Sequence, residues 1–277
     1  MKNLFLLFIL IFHIQSKAQN TAGAVSTATG GAGVGVLDMN EGVLINPALI
    51  PAYKQKQMTF SYSKNRFGVS LADNGADALF PAVIAYEQLS NDFFKGKIFH
   101  LILAYDFAKE NSSSGAFTFG LDYGYNDFKI LSTDKNYKQN KLSAGLFFQA
   151  NTEFAVGLVY KNKGLNDTEL PNSFDQASSI SGGFSYVYQT FAQFRLDIEK
   201  FENQISDRYI YKLGLETYLN EWIITRIGYR NDNLNSLNFT TLGLGFAGPQ
   251  FNFHYAYQTE SKNSIDPLHV VDLSVPF

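Results

Sequence analysis

Leu268-His-Val-Val-Asp-Leu-Ser-Val-Pro-Phe277 alternates: Val271, Leu273, Val275 and Phe277 fall on one face of an extended segment, Asp272 and Ser274 on the other. A period of two with one apolar and one polar face is the pattern of a strand with a dry side and a wet side. The same rhythm runs back through the chain. Phe251, Phe253, Tyr255 and Tyr257 oppose Asn252, His254 and Gln258. Ile223, Thr225, Ile227 and Tyr229 oppose Arg226, Gly228 and Arg230, and Tyr209, Tyr211, Leu213 and Leu215 oppose Lys212, Gly214 and Glu216. Phe194, Leu196 and Ile198 oppose Gln193, Arg195, Asp197 and Glu199, and a long segment sets Phe117, Phe119, Leu121, Tyr123 and Tyr125 against Thr118, Gly120, Asp122, Gly124 and Asn126. Read from residue 57 onward, the alternation predicts an all-β chain: an antiparallel up-and-down transmembrane β-barrel of about 14 strands. Twelve is the alternative, because the third segment, Ala82 to Tyr86, reads as short and starts beside Pro81.

Composition agrees with a wall that meets lipid on one face and water on the other. Aromatic residues make up 16% of the chain, with 26 Phe and 16 Tyr against one Trp, yet the mean hydropathy is only -0.10. A net charge of -3 leaves no basic stripe of the kind that binds nucleic acid. Without cysteine, the chain forms no disulfides and carries no acylated-cysteine anchor. Residues 1–18 read as an export signal, with Lys2, the apolar run Leu4 to Phe12 and the small-x-small site Ser16-Lys17-Ala18; cleavage is expected after Ala18. The run is well short of the roughly 20 residues of a membrane-spanning helix. The expected destination is the bacterial outer membrane.

Connector lengths give a second line of argument. Tight turns at Ala150-Asn151-Thr152, Gln189-Thr190, Asn220-Glu221 and Gly248-Pro249 alternate with longer polar links at Asn162 to Gln176, Lys200 to Asp207, Asn231 to Ser236 and Thr259 to Pro267. Short turns on one side and long loops on the other are what a transmembrane barrel shows. The first five strands keep this rhythm less well, since their first hairpin is tight on the long-loop side.

The stretch from Thr29 to Pro51 breaks the alternation. It is too glycine-rich for a strand and too apolar for a solvated loop, so Val34, Val36, Leu37, Val43, Leu44, Ile45, Leu49 and Ile50 need an enclosure. We therefore expect a plug at residues 19–56 inside a barrel formed by residues 57–277. The Gly30-Gly31-Ala32-Gly33 lead, the acidic turn at Asp38 and the step Asn46-Pro47-Ala48-Leu49 resemble the start of FadL-like outer-membrane proteins, the long-chain fatty-acid transporter superfamily. Tyr211-Lys-Leu-Gly-Leu-Glu216-Thr-Tyr-Leu followed by Trp222-Ile-Ile-Thr-Arg226-Ile-Gly228-Tyr229-Arg230 is similar to the PorV-type branch of that superfamily, which serves type IX secretion. The first resemblance implies passive transport of hydrophobic or amphipathic small molecules. The second implies a non-transporting barrel that serves protein secretion or envelope assembly, with a secretion-system protein as partner. The terminal Phe277, preceded by alternating apolar residues, resembles the signal read by the outer-membrane assembly machinery.

Candidate ligand contacts are Leu44, Ile45, Asn46, Pro47 and Leu49 of the plug and Lys212, Glu216, Arg226 and His254 of the lumen face. Arg195, Asp197, Glu199, Lys212, Glu216, Arg226 and Arg230 come from three consecutive strands about 5 Å apart. They fit either a ladder of mutual ion pairs that also holds the plug or a site for the head group of an amphipathic solute. Charges tolerate a barrel wall in both cases because they face inward. Pro81 has no N–H to give a ladder. It belongs either to a turn outside the membrane or to a gap in the wall, a lateral opening beside the plug of the kind the FadL-like resemblance implies.

Catalytic chemistry is sparse. His100 and His254 fall on the lumen face, but no serine motif marks a neighbour for either, so a membrane lipid hydrolase or acyltransferase is a remote alternative. Gly31-Ala-Gly33-Val-Gly35 follows no strand and misplaces the third glycine of a dinucleotide fingerprint. No Cys/His cluster marks a metal, and no cofactor is expected.

Overall fold

The computed structural model describes residues 23–36, 42–52, 55–74, 80–107, 115–162, 164–165, 178–202, 209–233, 235–261 and 266–277. The expected export signal and its cleavage point after Ala18 lie outside them, as do Leu37 and the turn at Asp38. Fourteen strands follow one another: β1 (Lys56–Ser63), β2 (Arg66–Asp73), β3 (Ala82–Ser90), β4 (Phe94–Asp106), β5 (Ala116–Ile130), β6 (Lys135–Gln149), β7 (Phe154–Lys161), β8 (Ser179–Tyr188), β9 (Ala192–Phe201), β10 (Tyr209–Tyr218), β11 (Ile223–Asp232), β12 (Leu237–Ala247), β13 (Asn252–Glu260) and β14 (Leu268–Pro276). Each pairs antiparallel with the next, and β14 returns to β1 from Gln57↔Pro276 to Ser63↔Val270, so the barrel is closed. Closure gives each strand a partner on both sides, which lipid requires because it offers no hydrogen bonds of its own.

The two faces separate as the alternation predicts. Leu101, Leu103, Leu158, Leu213, Leu242, Phe253 and Leu273 are exposed on the outside, while Asp122, Arg195, Glu216, Thr241 and Asp272 are buried on the inside. An apolar band around a closed barrel is the surface such a protein presents to lipid. Strand length varies from eight residues in β1 to fifteen in β5 and β6. Only about 9 to 11 residues are needed to cross, so the β5–β6 hairpin overhangs the rim. In β6 the alternation of apolar residues starts only at Leu142. The preceding Lys135-Asn-Tyr-Lys-Gln-Asn-Lys141 is polar on both faces and pairs with β5 from Lys135↔Ile130 to Lys141↔Gly124.

One expectation needs correction. β3 is a full strand of nine residues. It pairs without interruption with β2, from Asp73↔Ala82 to Arg66↔Leu89, and with β4, from Ala82↔Leu103 to Ser90↔Lys95. The seam beside Pro81 is therefore closed. Pro81 precedes the first ladder pair, where its missing N–H leaves nothing unpaired, and its carbonyl accepts from Ala104 N at 3.0 Å. The connector rhythm reverses partway round the wall, in keeping with the tight first hairpin. From β6 onward the tight turns lie at the end where β1 starts and β14 finishes, but those at residues 64–65, 91–93 and 131–134 lie at the opposite end.

Residues 23–36 and 42–52 lie inside the wall. The first of these stretches begins with helix α1 (Ala24–Ala28), which ends because Gly30 takes φ 67°, a left-handed conformation that glycine adopts without steric cost. Gly31 N then reaches back to Ser26 O at 2.7 Å and Gly30 N to Thr27 O at 3.2 Å, closing the helix end. After residue 41 come two 3-10 turns, Gly42–Leu44 and Pro47–Ala52. The segment follows the circumference against strand order: Ala24 meets β14, Gly30 meets β12, Val34 meets β9, Gly35 meets β8, and Ala48 meets β5.

Candidate functional site

The inner segment has two described arms, residues 23–36 and 42–52, held in different ways. Polar side chains of the wall grip the first arm by its backbone. Asp272 Oδ2 accepts from Ala24 N at 2.5 Å. Thr241 Oγ1 accepts from Gly30 N at 3.1 Å and donates to Ala28 O at 2.8 Å. Asp197 Oδ2 accepts from both Gly33 N and Val34 N, at 2.7 and 3.0 Å, and Ser185 Oγ donates to Gly35 O at 2.6 Å. An irregular segment cannot satisfy its own amides, so each of these bonds removes the cost of a buried orphan.

Apolar packing dominates the second arm. Val43, Ala48, Leu49 and Ile50 bury themselves against Val83, Ile102, Ala104, Phe147 and Ala155 of β3, β4, β6 and β7. Two side chains from outside the segment add hydrogen bonds: Thr118 donates to Ala48 O at 2.6 Å, and Asn74, just after β2, donates to Ile50 O at 3.0 Å. Asn46 joins the arms: its Nδ2 donates to Val34 O at 2.7 Å and to Leu146 O of β6 at 3.1 Å, while Oδ1 accepts from Ala48 N at 3.0 Å. The fit is close enough that a Cβ on Gly145 of β6 would overlap Asn46, which explains a glycine in that strand.

The lumen charges pair along the wall. Glu216 on β10 stands opposite Arg226 on β11 and diagonal to Arg195 on β9. Its Oε2 accepts from Arg195 Nη2 at 3.1 Å and from Arg226 Nε, and its Oε1 accepts from Tyr218 OH at 2.5 Å. Arg226 Nη1 lies 3.2 Å from His254 Nδ1. Lys212 donates to Glu199 at 2.8 Å, and Arg230 to Asp232 at 3.3 Å. All four lumen candidates, Lys212, Glu216, Arg226 and His254, are buried and engaged with other wall residues. The geometry is that of an ion-pair ladder; Asp197, opposite Lys212, carries it to the inner segment.

The plug candidates divide. Leu49 is fully buried and Leu44 half-buried in the apolar cluster, whereas Ile45 belongs to a separate cluster with Val25, Val34, Val36 and Val159. Asn46 spends its amide inside the protein, and Pro47 faces the wall at Gly145. An enclosed gap of about 10 Å³ lies beside this arm, lined by Val43, Ile50, Gln57, Thr59, Ala72 and Val83 among others. It has room for about one water molecule. His100 Nδ1 lies 3.0 Å from Asp122 Oδ1 on the neighbouring strand. Among the described residues, no three His, Asp or Glu side chains are grouped to hold a metal ion. Sequence reasoning did not single out Thr118, Ser185, Thr241 or Asp272 as contacts of the inner segment. Strand parity marks them as inward-facing, but many inward polar residues share that mark.

The chain matches no family model and no curated protein. Among solved structures it is similar to the CymD monoaromatic hydrocarbon channel, at 13% identity over 92% of this chain and 97% of that one, with a TM-score of 0.67. It is similar to the Pseudomonas putida toluene transporter TodX at 11% identity, over 92% and 96% of the two chains, with a TM-score of 0.66. A deltaS2 mutant of the TodX monoaromatic hydrocarbon channel gives 12% identity over 92% and 98%, with a TM-score of 0.68. At these identities the likeness is one of fold, a closed membrane-type barrel matched over nearly its whole length.

Proposed function

We propose that the protein is a passive outer-membrane channel for hydrophobic or amphipathic small molecules, with the passage along the apolar half of its lumen. One observation carries this reading. Around the second arm the inward faces of β3, β4, β6 and β7 present Val83, Ile102, Ala104, Phe147 and Ala155, all buried, with the polar Glu87, His100 and Gln139 farther along the same strands, whereas a barrel conducting water-soluble solutes has a polar interior throughout. Apolar groups there can exchange contacts with an apolar solute at little cost, because dispersion and hydrophobic contacts are not directional. The second arm, residues 42–52, is the barrier that such a solute displaces, and its apolar seat is what the solute replaces. The FadL-like resemblance of Asn46-Pro47-Ala48-Leu49 and the hydrocarbon named for the similar structures support the same class of solute. The expected export signal at residues 1–18 supports delivery to the outer membrane.

The test is uptake of radiolabelled p-xylene by cells that carry the protein in the outer membrane, against cells that lack it, with glucose as the polar control. Faster p-xylene entry with unchanged glucose entry is the expected result. Equal p-xylene entry with a verified folded barrel at the surface would overturn the channel reading.

A further inference from the structure

The outer wall has a groove that the fold does not need. The outward row of β8 reads Ile180, Gly182, Phe184, and Gly182 is among the residues that line a shallow, open depression of about 480 Å³. Leu158 stands beside Gly182 on β7 and Ile198 on β9. Leu158, Ile180, Phe184, Leu196 and Ile198 line it, with Lys200 at one end.

Unlike Gly145, Gly157 or Gly183, Gly182 has no neighbour that excludes a side chain. A Cβ on Gly145 would run into Asn46, but a Cβ on Gly182 would meet nothing within 4 Å. Nor is its φ in the left-handed region. A glycine in a strand interior is unfavourable, and one with open space before it leaves room for the close approach of a ligand. That approach is from outside the barrel, where the surroundings are acyl chains.

Lys200 identifies the other end of the ligand. The outward row of β9 runs Phe194, Leu196, Ile198 and then Lys200, so the charge follows directly on the apolar row. Lys200 stands between Ile180 and Tyr209 in the ladders, and its Nζ lies 5.6 Å from the Tyr209 ring centroid. An exposed lysine where an apolar band ends, beside a tyrosine, lies at the depth of lipid head groups and attracts anionic ones.

We propose that this groove is a site for one acyl chain of a phosphorylated membrane lipid, with its head group at Lys200 and its chain over Gly182. The test is native mass spectrometry of the full-length barrel, released from detergent after incubation with phosphatidylglycerol or with phosphatidylcholine. The wild type should keep one phosphatidylglycerol in preference to phosphatidylcholine. Gly182→Leu, which fills the groove from the open side, should lower the retained fraction about tenfold. Gly182→Ala, whose single methyl group the open space admits, should lower it less and serves if the leucine variant does not fold. Lys200→Gln should keep a bound chain and lose the preference for the anionic lipid. Wild-type retention by folded glycine variants, or equal retention of the two lipids by the wild type, would overturn the proposal.

Discussion

Along β9 to β11 the lumen wall presents Arg195, Asp197, Glu199, Lys212, Glu216 and Arg226, while around the second arm β3, β4, β6 and β7 present Val83, Ile102, Ala104, Phe147 and Ala155. The charged half binds the first arm through hydrogen bonds that fix which backbone atom meets which side chain. The apolar half seats the second arm by packing that favours burial without prescribing one alignment. Hydrogen bonds to buried carboxylates are lost outright when the geometry shifts, whereas apolar contacts can be replaced by those of another apolar molecule. The comparison therefore assigns rigidity to residues 23–36 and exchangeability to residues 42–52, within one continuous wall.

The largest effect should come from the charged half. Glu216→Ala removes the carboxylate shared by Arg195 and Arg226 and leaves two buried cations without it. It should destabilise the barrel by about 3 to 5 kcal/mol, read as a fall in the denaturant midpoint of the refolded protein. A loss below about 1 kcal/mol, as at solvent-exposed pairs, would break the comparison on this side. Leu49→Ala opens a cavity in the apolar half and should cost about 2 to 4 kcal/mol by the same measurement. It should also speed p-xylene uptake, because the arm loses part of the seat that competes with the solute. Slower uptake would mean that Leu49 helps the passage rather than blocks it.

How much of this was legible in the sequence follows from where the signals lie. The alternation of Phe253, Tyr255 and Tyr257 against His254 and Gln258 reports a two-sided environment directly, so the barrel and its facing residues could be read. Residues 135–141 carry no such contrast, being polar on both faces, so the alternation marks β6 only from Leu142 onward. Pro81 was ambiguous because a proline reads alike in a turn and at a gap; only the register from Asp73↔Ala82 separates the two. The charges of β9 to β11 were visible as a cluster, but the pairing of Glu216 with both arginines depends on stagger. Thr241 and Ser185 grip atoms more than a hundred residues away, and no local pattern encodes that.

Smaller changes sharpen the contrast between the arms. Thr241→Val removes two bonds to the first arm, at Ala28 and Gly30, and should cost about 2 kcal/mol. Thr118→Val removes one bond to the second arm, at Ala48, and should cost about 1 kcal/mol. The ordering is checked by the two denaturant midpoints, and a reversal would show that the second arm depends more on its polar contact than on its packing.

The central claim is that an apolar solute exchanges with the second arm and leaves the first in place. Amide hydrogen exchange of the folded barrel, followed by mass spectrometry with and without saturating p-xylene, tests it most directly. The account predicts faster exchange within residues 42–52 when the solute is present and unchanged protection of residues 23–36. Equal acceleration of both arms, or acceleration of the first alone, would contradict it, as would full protection of both at a solute concentration that saturates uptake.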